Sequence, residues 1–189
     1  MNRPRWDKAK VETILQQQFD AAKRKMTRVV LLGVRGYFED SMGVVDQNDR
    51  GIYDDALFVY SPLAFRSFNA NTDPSRKGTN PDTGKGYAVL TPGIWDYKIG
   101  IHGLSKPKEQ QYEAYVQAGQ VVIDRDGEGG VEKGFFGINI HRGGINGTSS
   151  LGCQTIIPPQ WQEFHDLVNT ELAKFGQNII PYVLIESQG

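Results

Sequence analysis

The chain of 189 residues has only one cysteine and three histidines, and no apolar stretch near the length of a membrane span. A lone cysteine excludes an internal disulfide, a multi-cysteine zinc site and an iron–sulfur cluster, so Cys153 must be explained by packing or by reactivity. Val29 to Val34 is far shorter than the roughly 20 apolar residues of a membrane helix, and too short for a signal-peptide core. The chain is therefore expected to be made in the cytoplasm. An extracytoplasmic target would need another export route, lysis, or prior removal of a leader. Charge of one sign is also missing: 21 Lys and Arg against 22 Asp and Glu give a net charge of -1. That balance gives no reason to expect a nucleic-acid partner. Glycine lacks a triplet period, aromatics reach 11%, and no repeat or low-complexity tract occurs, which excludes collagen-like and disordered classes.

Basic charge is concentrated at one end. Arg3, Arg5, Lys8, Lys10, Lys23, Arg24, Lys25, Arg28 and Arg35 face only Asp7, Glu12 and Asp20 in the first 35 residues. Between Trp6 and Lys25 there is no Gly or Pro, and Val11, Ile14, Leu15, Gln18, Phe19 and Ala22 recur at helical spacing. The spacing predicts a basic amphipathic helix within residues 1–27, packed on or appended to a single β-rich domain over 28–189. Its lysines are either simply solvated or attracted to an anionic wall or membrane surface.

Beyond it, short strands and turns dominate. Strands are expected at Val29–Val34, Ala56–Tyr60, Tyr87–Leu90, Ile94–His102, Gln120–Asp124 and Phe136–Ile140, with an edge strand at Ile179–Ile185 because of Pro181. Trp95, Tyr97, Ile99 and Ile101 would share one strand face. Phe68 to Gly86 reads as a long exposed loop, and Asp54-Asp55 as solvated carboxylates. Asp126-Gly127-Glu128-Gly129-Gly130 reads as a turn; no Lys-Ser/Thr or helix signal follows to make it a phosphate loop. Pro158-Pro159 open a second helix with an apolar stripe of Trp161, Phe164, Val168, Leu172 and Phe175, stopped by Gly176. His165 lies near that stripe and reads as structural. The fold class is α+β, with a helix near each end.

Chemistry concentrates between residues 139 and 155. Cys153 follows His141 through a segment of Gly, Ser, Thr and Asn that can fold back tightly. A cysteine nucleophile needs a base for its proton and backbone amides for the developing oxyanion. His141 supplies the base, and Gly152 allows a bound carbonyl to approach the amides. His102 ends its own strand and is a candidate substrate contact or second base. No motif requires a cofactor.

These residues resemble the L,D-transpeptidase catalytic-domain family. The likeness rests on Ile140-His141-Arg142-Gly143, Ser150-Leu151-Gly152-Cys153 and, upstream, Thr91-Pro92-Gly93-Ile94-Trp95, and covers about residues 87–157. It implies a β-rich catalytic domain in which Cys153 is the nucleophile and His141 the base. The carbonyl following His141, that of Arg142, would orient the imidazole, and the Gly152 and Cys153 amides would face the oxyanion. It further implies peptidoglycan peptide stems as partner, with Ser149, Ser150, Gly143 and His102 as substrate-binding candidates. The D-residues and carboxylates of such stems would suit a recognition wall of Trp95, Tyr97, Arg142 and the 71–75 loop, although core packing on their strand face is the favoured reading of Trp95 and Tyr97.

The chain departs from the family pattern in three ways. Leu151 replaces a histidine, Gln154-Thr155 replace an apolar-Arg pair, and the His141 to Cys153 interval is shorter. The missing arginine weighs against transpeptidation as the natural reaction, and the basic helix, the absent leader and the long 68–86 loop suit an endolysin-like peptidase of a phage, or a delivered toxin, better than an exported housekeeping transpeptidase. Transpeptidation, a zinc amidase using His102, His141 and Cys153, and a non-catalytic wall-binding or virion protein remain open. A papain-like order is disfavoured because His141 precedes Cys153, and nothing indicates two acids converging across a sugar.

Overall fold

The structure, a computed structural model, describes residues 2–38, 44, 48–127 and 129–187; Glu128 of the expected turn lies outside them. Two helices and eleven strands are present among these residues. In chain order they are α1 (Lys8–Ala21), β1 (Val30–Arg35), β2 (Asp55–Tyr60), β3 (Phe65–Asn71), β4 (Ala88–Leu90), β5 (Gly93–His102), β6 (Tyr112–Gln117), β7 (Val121–Arg125), β8 (Gly130–Gly134), β9 (Ile140–Arg142), β10 (Gln154–Ile156), α2 (Pro158–Phe175) and β11 (Ile180–Glu186). The α+β expectation holds, with the sheet dominant and a helix toward each end.

The strands close into a barrel in the order β1-β11-β5-β6-β9-β10-β3-β2, while β4, β7 and β8 form a separate three-stranded sheet. β1 and β2 are buried at every position, which explains the continuous apolar reading of Val30–Val34 and Ala56–Val59. One face carries Leu31, Leu57 and Val59 into the main core, where Phe68, Tyr97, Tyr115 and Tyr182 meet the α2 stripe of Trp161, Phe164, Val168 and Leu172. The other face carries Val30, Leu32, Phe58 and Val183 into a second core with Val11, Leu15 and Phe19 of α1.

Both helices are bounded by local chemistry. The Asp7 carboxylate accepts the Lys10 amide at the start of α1. α2 begins at Pro158 and ends at Gly176 in the left-handed conformation, as expected. Full burial of Val11, Leu15 and Phe19 is worth about 6 kcal/mol against exposure. The apolar face of α1 is thus occupied by the barrel. Lys8 and Lys10 lie over Tyr60 and Trp6, and Arg24 pairs with Asp96, whereas Lys23, Lys25 and Arg28 are exposed.

Several expectations are corrected. Pro181 is not in an edge strand: β11 pairs with β1 in parallel and with β5 antiparallel. Proline is accommodated because the β1 ladder begins one residue later, at Leu31 with Tyr182. The segment after Phe68 is not an exposed loop from its start, since β3 runs to Asn71 and Phe68 through Pro74 are buried. Asp54 and Asp55 are wholly buried, with Asp55 accepting the amides of Gly36 and Thr72. Ile99 and Ile101 are exposed, although Tyr97 on the same expected face is buried. The 136–140 strand contracts to β9, and Phe135 stands exposed ahead of it.

Candidate active site

The site forms where the barrel closes most thinly. β6 meets β9 through the single register pair Tyr115 with Ile140, and β9 lies parallel to β10 with His141 opposite Thr155. Two neighbouring parallel strands therefore carry His141 in one and Cys153 immediately before the other. β5 ends opposite β6 at the pair His102 with Tyr112, bringing a second imidazole to the same place.

His141 is buried, and its Nδ1 lies 2.7 Å from the Arg142 carbonyl oxygen. A carbonyl only accepts, so Nδ1 carries the proton and Nε2 is the free base. This is the orienting contact implied by the resemblance. The Tyr112 hydroxyl also donates to that carbonyl at 3.3 Å. The His102 and His141 rings stack with centroids 3.9 Å apart and planes 20° from parallel. Burial, followed by the neighbouring His102, pushes the His141 pKa down to about 3. Burial and then Lys106 lower that of His102. At neutral pH both rings are uncharged.

Cys153 is half-buried, and its Sγ accepts the Asn139 amide at 3.4 Å while donating to the Gly137 carbonyl at 3.4 Å. Desolvation pushes the thiol up to about 11, against smaller lowering by the Asn139 amide and Lys106. No hydrogen bond joins Sγ to either imidazole among the described residues, so thiol and base are each neutral at rest and engaged with other partners.

The loop before Cys153 is held from inside. Ser150 Oγ donates to the Cys153 carbonyl at 2.7 Å and accepts the Gly152 amide at 3.0 Å. That corrects the expected oxyanion pair, because the Gly152 amide is already engaged and only the Cys153 amide of the two fits the role. Gly152 is required for another reason. Its φ is 145°, and an added Cβ would lie 2.5 Å from the Ala88 carbonyl oxygen and 2.7 Å from Ile138 Cδ1. At Gly143 a Cβ would lie 2.1 Å from the Tyr53 hydroxyl, which donates to the Gly144 carbonyl at 2.6 Å.

The remaining expected site residues separate into two groups. Ser149 is exposed with a left-handed φ of 55°, beside buried Ser150, and both line a groove flanking the nucleophile loop. Arg142 is exposed with its guanidinium 5.3 Å from the Tyr112 ring centroid. Trp95 and Tyr97 do not belong to a recognition wall. Trp95 donates to the Thr91 carbonyl at 2.9 Å, and in the extended strand it lies about 23 Å from His102. Tyr97 is buried in the barrel, its hydroxyl raised by burial, then by Tyr182 and Cys153. Asn71, Thr72 and Asp73 are likewise interior, leaving Ser75 as the accessible end of the 71–75 segment.

His165 makes a structural contact, with Nε2 3.0 Å from Glu113 and its ring beside Trp161 and Tyr115. Among the described residues, no group of three His, Cys, Asp or Glu side chains is disposed to hold a metal ion.

Three contributors escape sequence reading. Asn139 links the site: its amide reaches Cys153, its carbonyl accepts Gln154 N at 2.9 Å, and its side-chain amide lies 3.1 Å from His102 Nδ1. Tyr112 sits on β6, which no alternation announces. Gln154 is buried, donates to the Thr72 and Gly152 carbonyls, and accepts the Tyr182 hydroxyl at 2.8 Å. Its position next to Cys153 is the only available signal. In comparisons with known proteins, the chain matches no family model, no curated protein and no solved structure.

Proposed function

We propose that the protein is a cysteine-nucleophile enzyme of L,D-transpeptidase-like design that acts on the peptide stems or cross-links of peptidoglycan and hands the acyl group to water. The observation that carries this reading is the Cys153 thiol held by the Asn139 amide, with the Asn139 side chain 3.1 Å from His102 and His102 stacked on a buried, neutral His141 whose Nδ1–H is committed to the Arg142 carbonyl. That commitment leaves Nε2 as the base, while the L,D-transpeptidase-like sequence pattern supplies the substrate class.

In this mechanism, substrate brings its carbonyl to Sγ and His141 Nε2 takes the thiol proton as the S–C bond forms. The Cys153 amide stabilises the oxyanion. Collapse expels the amine, which receives the proton from His141, and leaves a thioester. Water, deprotonated by His141, then attacks the thioester and returns the thiol; an amine in place of water gives a cross-link instead. With the thiol near 11 and the imidazole near 3 in the resting protein, transfer is uphill until substrate excludes water and aligns the pair. His102 supports the His141 ring by stacking. Attraction to an anionic wall falls to exposed Lys23, Lys25 and Arg28, because the apolar face of α1 is already covered.

The test is digestion of purified Gram-negative peptidoglycan by wild type and Cys153→Ala, with muropeptides read by mass spectrometry. Loss of cross-linked dimers with wild type alone is expected. New cross-links would instead make the enzyme a transpeptidase. Equal action by both proteins, or none by either, would overturn the nucleophile assignment for this substrate.

A further inference from the structure

We infer that Arg35, at the end of β1 and far in sequence from the site, is a positioning residue for Cys153 that acts through Thr72 and Gln154. The inference rests on the reading of Cys153 as the nucleophile and adds the part of the barrel that fixes where its sulfur stands.

Arg35 belongs to the basic residues gathered in the first 35 positions, yet it is only 6% exposed. Its donors are directed mainly at one short segment. Nε donates to Thr72 Oγ1 at 3.2 Å and lies 3.0 Å from Asp73 Oδ1, while Nη2 donates to the carbonyls of Thr72 at 2.8 Å and Leu90 at 2.9 Å. From the other side, Asp55 accepts the Thr72 amide at 2.6 Å and the Thr72 hydroxyl at 2.8 Å. Amide, hydroxyl and carbonyl of Thr72 are thus all engaged, and the residue is fully buried. A lysine, lacking the planar fork, cannot meet the same set of acceptors.

The Thr72 carbonyl has a second donor. Gln154 Nε2 donates to it at 3.2 Å and to the Gly152 carbonyl at 3.2 Å, so one side-chain amide spans the residue between, which is Cys153. That amide cannot be turned end for end, because Oε1 accepts the Tyr182 hydroxyl at 2.8 Å. Tyr182 has room to do this because β1 carries a glycine at 33, where an added Cβ would lie 2.0 Å from the same hydroxyl. The approach to Cys153 rests on the same segment. Ser75 N donates to the Ser150 carbonyl at 2.8 Å, Ser150 N donates to Ser75 Oγ at 2.8 Å, and Ser150 Oγ holds the Cys153 carbonyl. Cys153 is therefore tied on both sides to residues 72–75, whose place is set by Arg35 and Asp55. A buried polar network with its partners satisfied shifts as a unit when one member is changed.

The experiment compares wild type, Arg35→Lys, Gln154→Met and the double variant in two assays: alkylation of Cys153 by iodoacetamide at pH 7.5, and turnover of a soluble cross-linked muropeptide dimer. Loosening the clamp lets water reach a thiol that burial holds at about 11. Each single variant should therefore be alkylated about three- to tenfold faster than wild type. Each should also lose about 10- to 100-fold in kcat, with KM within about twofold. Because both act through Thr72, the double variant should fall well short of the product of the two single effects. A purely stabilising arginine would lower the unfolding temperature and leave the alkylation rate of the folded protein unchanged. That result, slower alkylation, an unchanged kcat, or effects that multiply in the double variant would overturn the inference. Should Arg35→Lys fail to fold, Thr72→Val takes its place with the same expected and refuting outcomes, since it keeps the carbonyl and removes only the hydroxyl between Arg35 and Asp55. Alkylation needs no wall substrate. A wild type that leaves the dimer intact therefore sinks the proposed activity, while the role of Arg35 is decided by the thiol.

Discussion

Alkylation of Cys153 as a function of pH tests whether the resting site is a neutral pair or a thiolate–imidazolium ion pair. Burial raises the thiol from an ordinary 9.0 to about 11, so at any pH well below 9 the thiolate fraction is about 100-fold smaller than for a free cysteine. A more basic thiolate is also more nucleophilic, by a factor of roughly 8 for such a shift. The expected rate with iodoacetamide at pH 7.5 is therefore about tenfold below that of free cysteine. Its logarithm should rise linearly through pH 10 without levelling. Because Lys106 lowers the thiol pKa, Lys106→Gln should slow alkylation further, and added salt should mimic the substitution. His141 stays neutral down to low pH, so kcat/KM should show no acid limb near 6.5. A rate that levels below pH 8, or one faster than free cysteine, would refute the neutral-pair reasoning.

Two substitutions probe the framework. Gly152→Ala adds a Cβ against Ala88 and Ile138 at a φ of 145°, and should cost about 2–5 kcal/mol in urea unfolding together with activity. Asp54 is raised by burial and by the adjacent Asp55. Its folded state therefore holds the proton more tightly than the unfolded chain, and the associated stability is present at low pH and lost as pH rises through the folded value. Wild type should accordingly lose about 1–3 kcal/mol relative to Asp54→Asn between pH 4.5 and 8.5, and parallel urea-derived profiles for the two proteins would contradict the assignment.

Local signals carried much of the architecture. The α1 face was legible because Val11, Leu15 and Phe19 repeat every four residues, and α2 because prolines open it and Gly176 closes it. β1 and β2 were legible as apolar runs because both of their faces are covered. β6 was not: Tyr112 to Gln117 mixes exposed Glu113 with buried Ala114 and Gln117, so no alternation survives. Asp54 and Asp55 looked like surface charges because composition cannot show which amides will surround a carboxylate.

By itself the sequence determined that one thiol and few imidazoles were available, and that a glycine-rich return joined His141 to Cys153. The contact of His141 Nδ1 with the Arg142 carbonyl depends on backbone torsions and the imidazole rotamer, so it was left to the fold. Tertiary structure decided the rest. Barrel closure stacked His102 on His141, placed Asn139 against the thiol, sent Tyr97 inward and left Trp95 at the far end of its strand. Residues adjacent in sequence constrain one another through covalent geometry, whereas burial and cross-strand contact depend on segments that meet only once the barrel is closed.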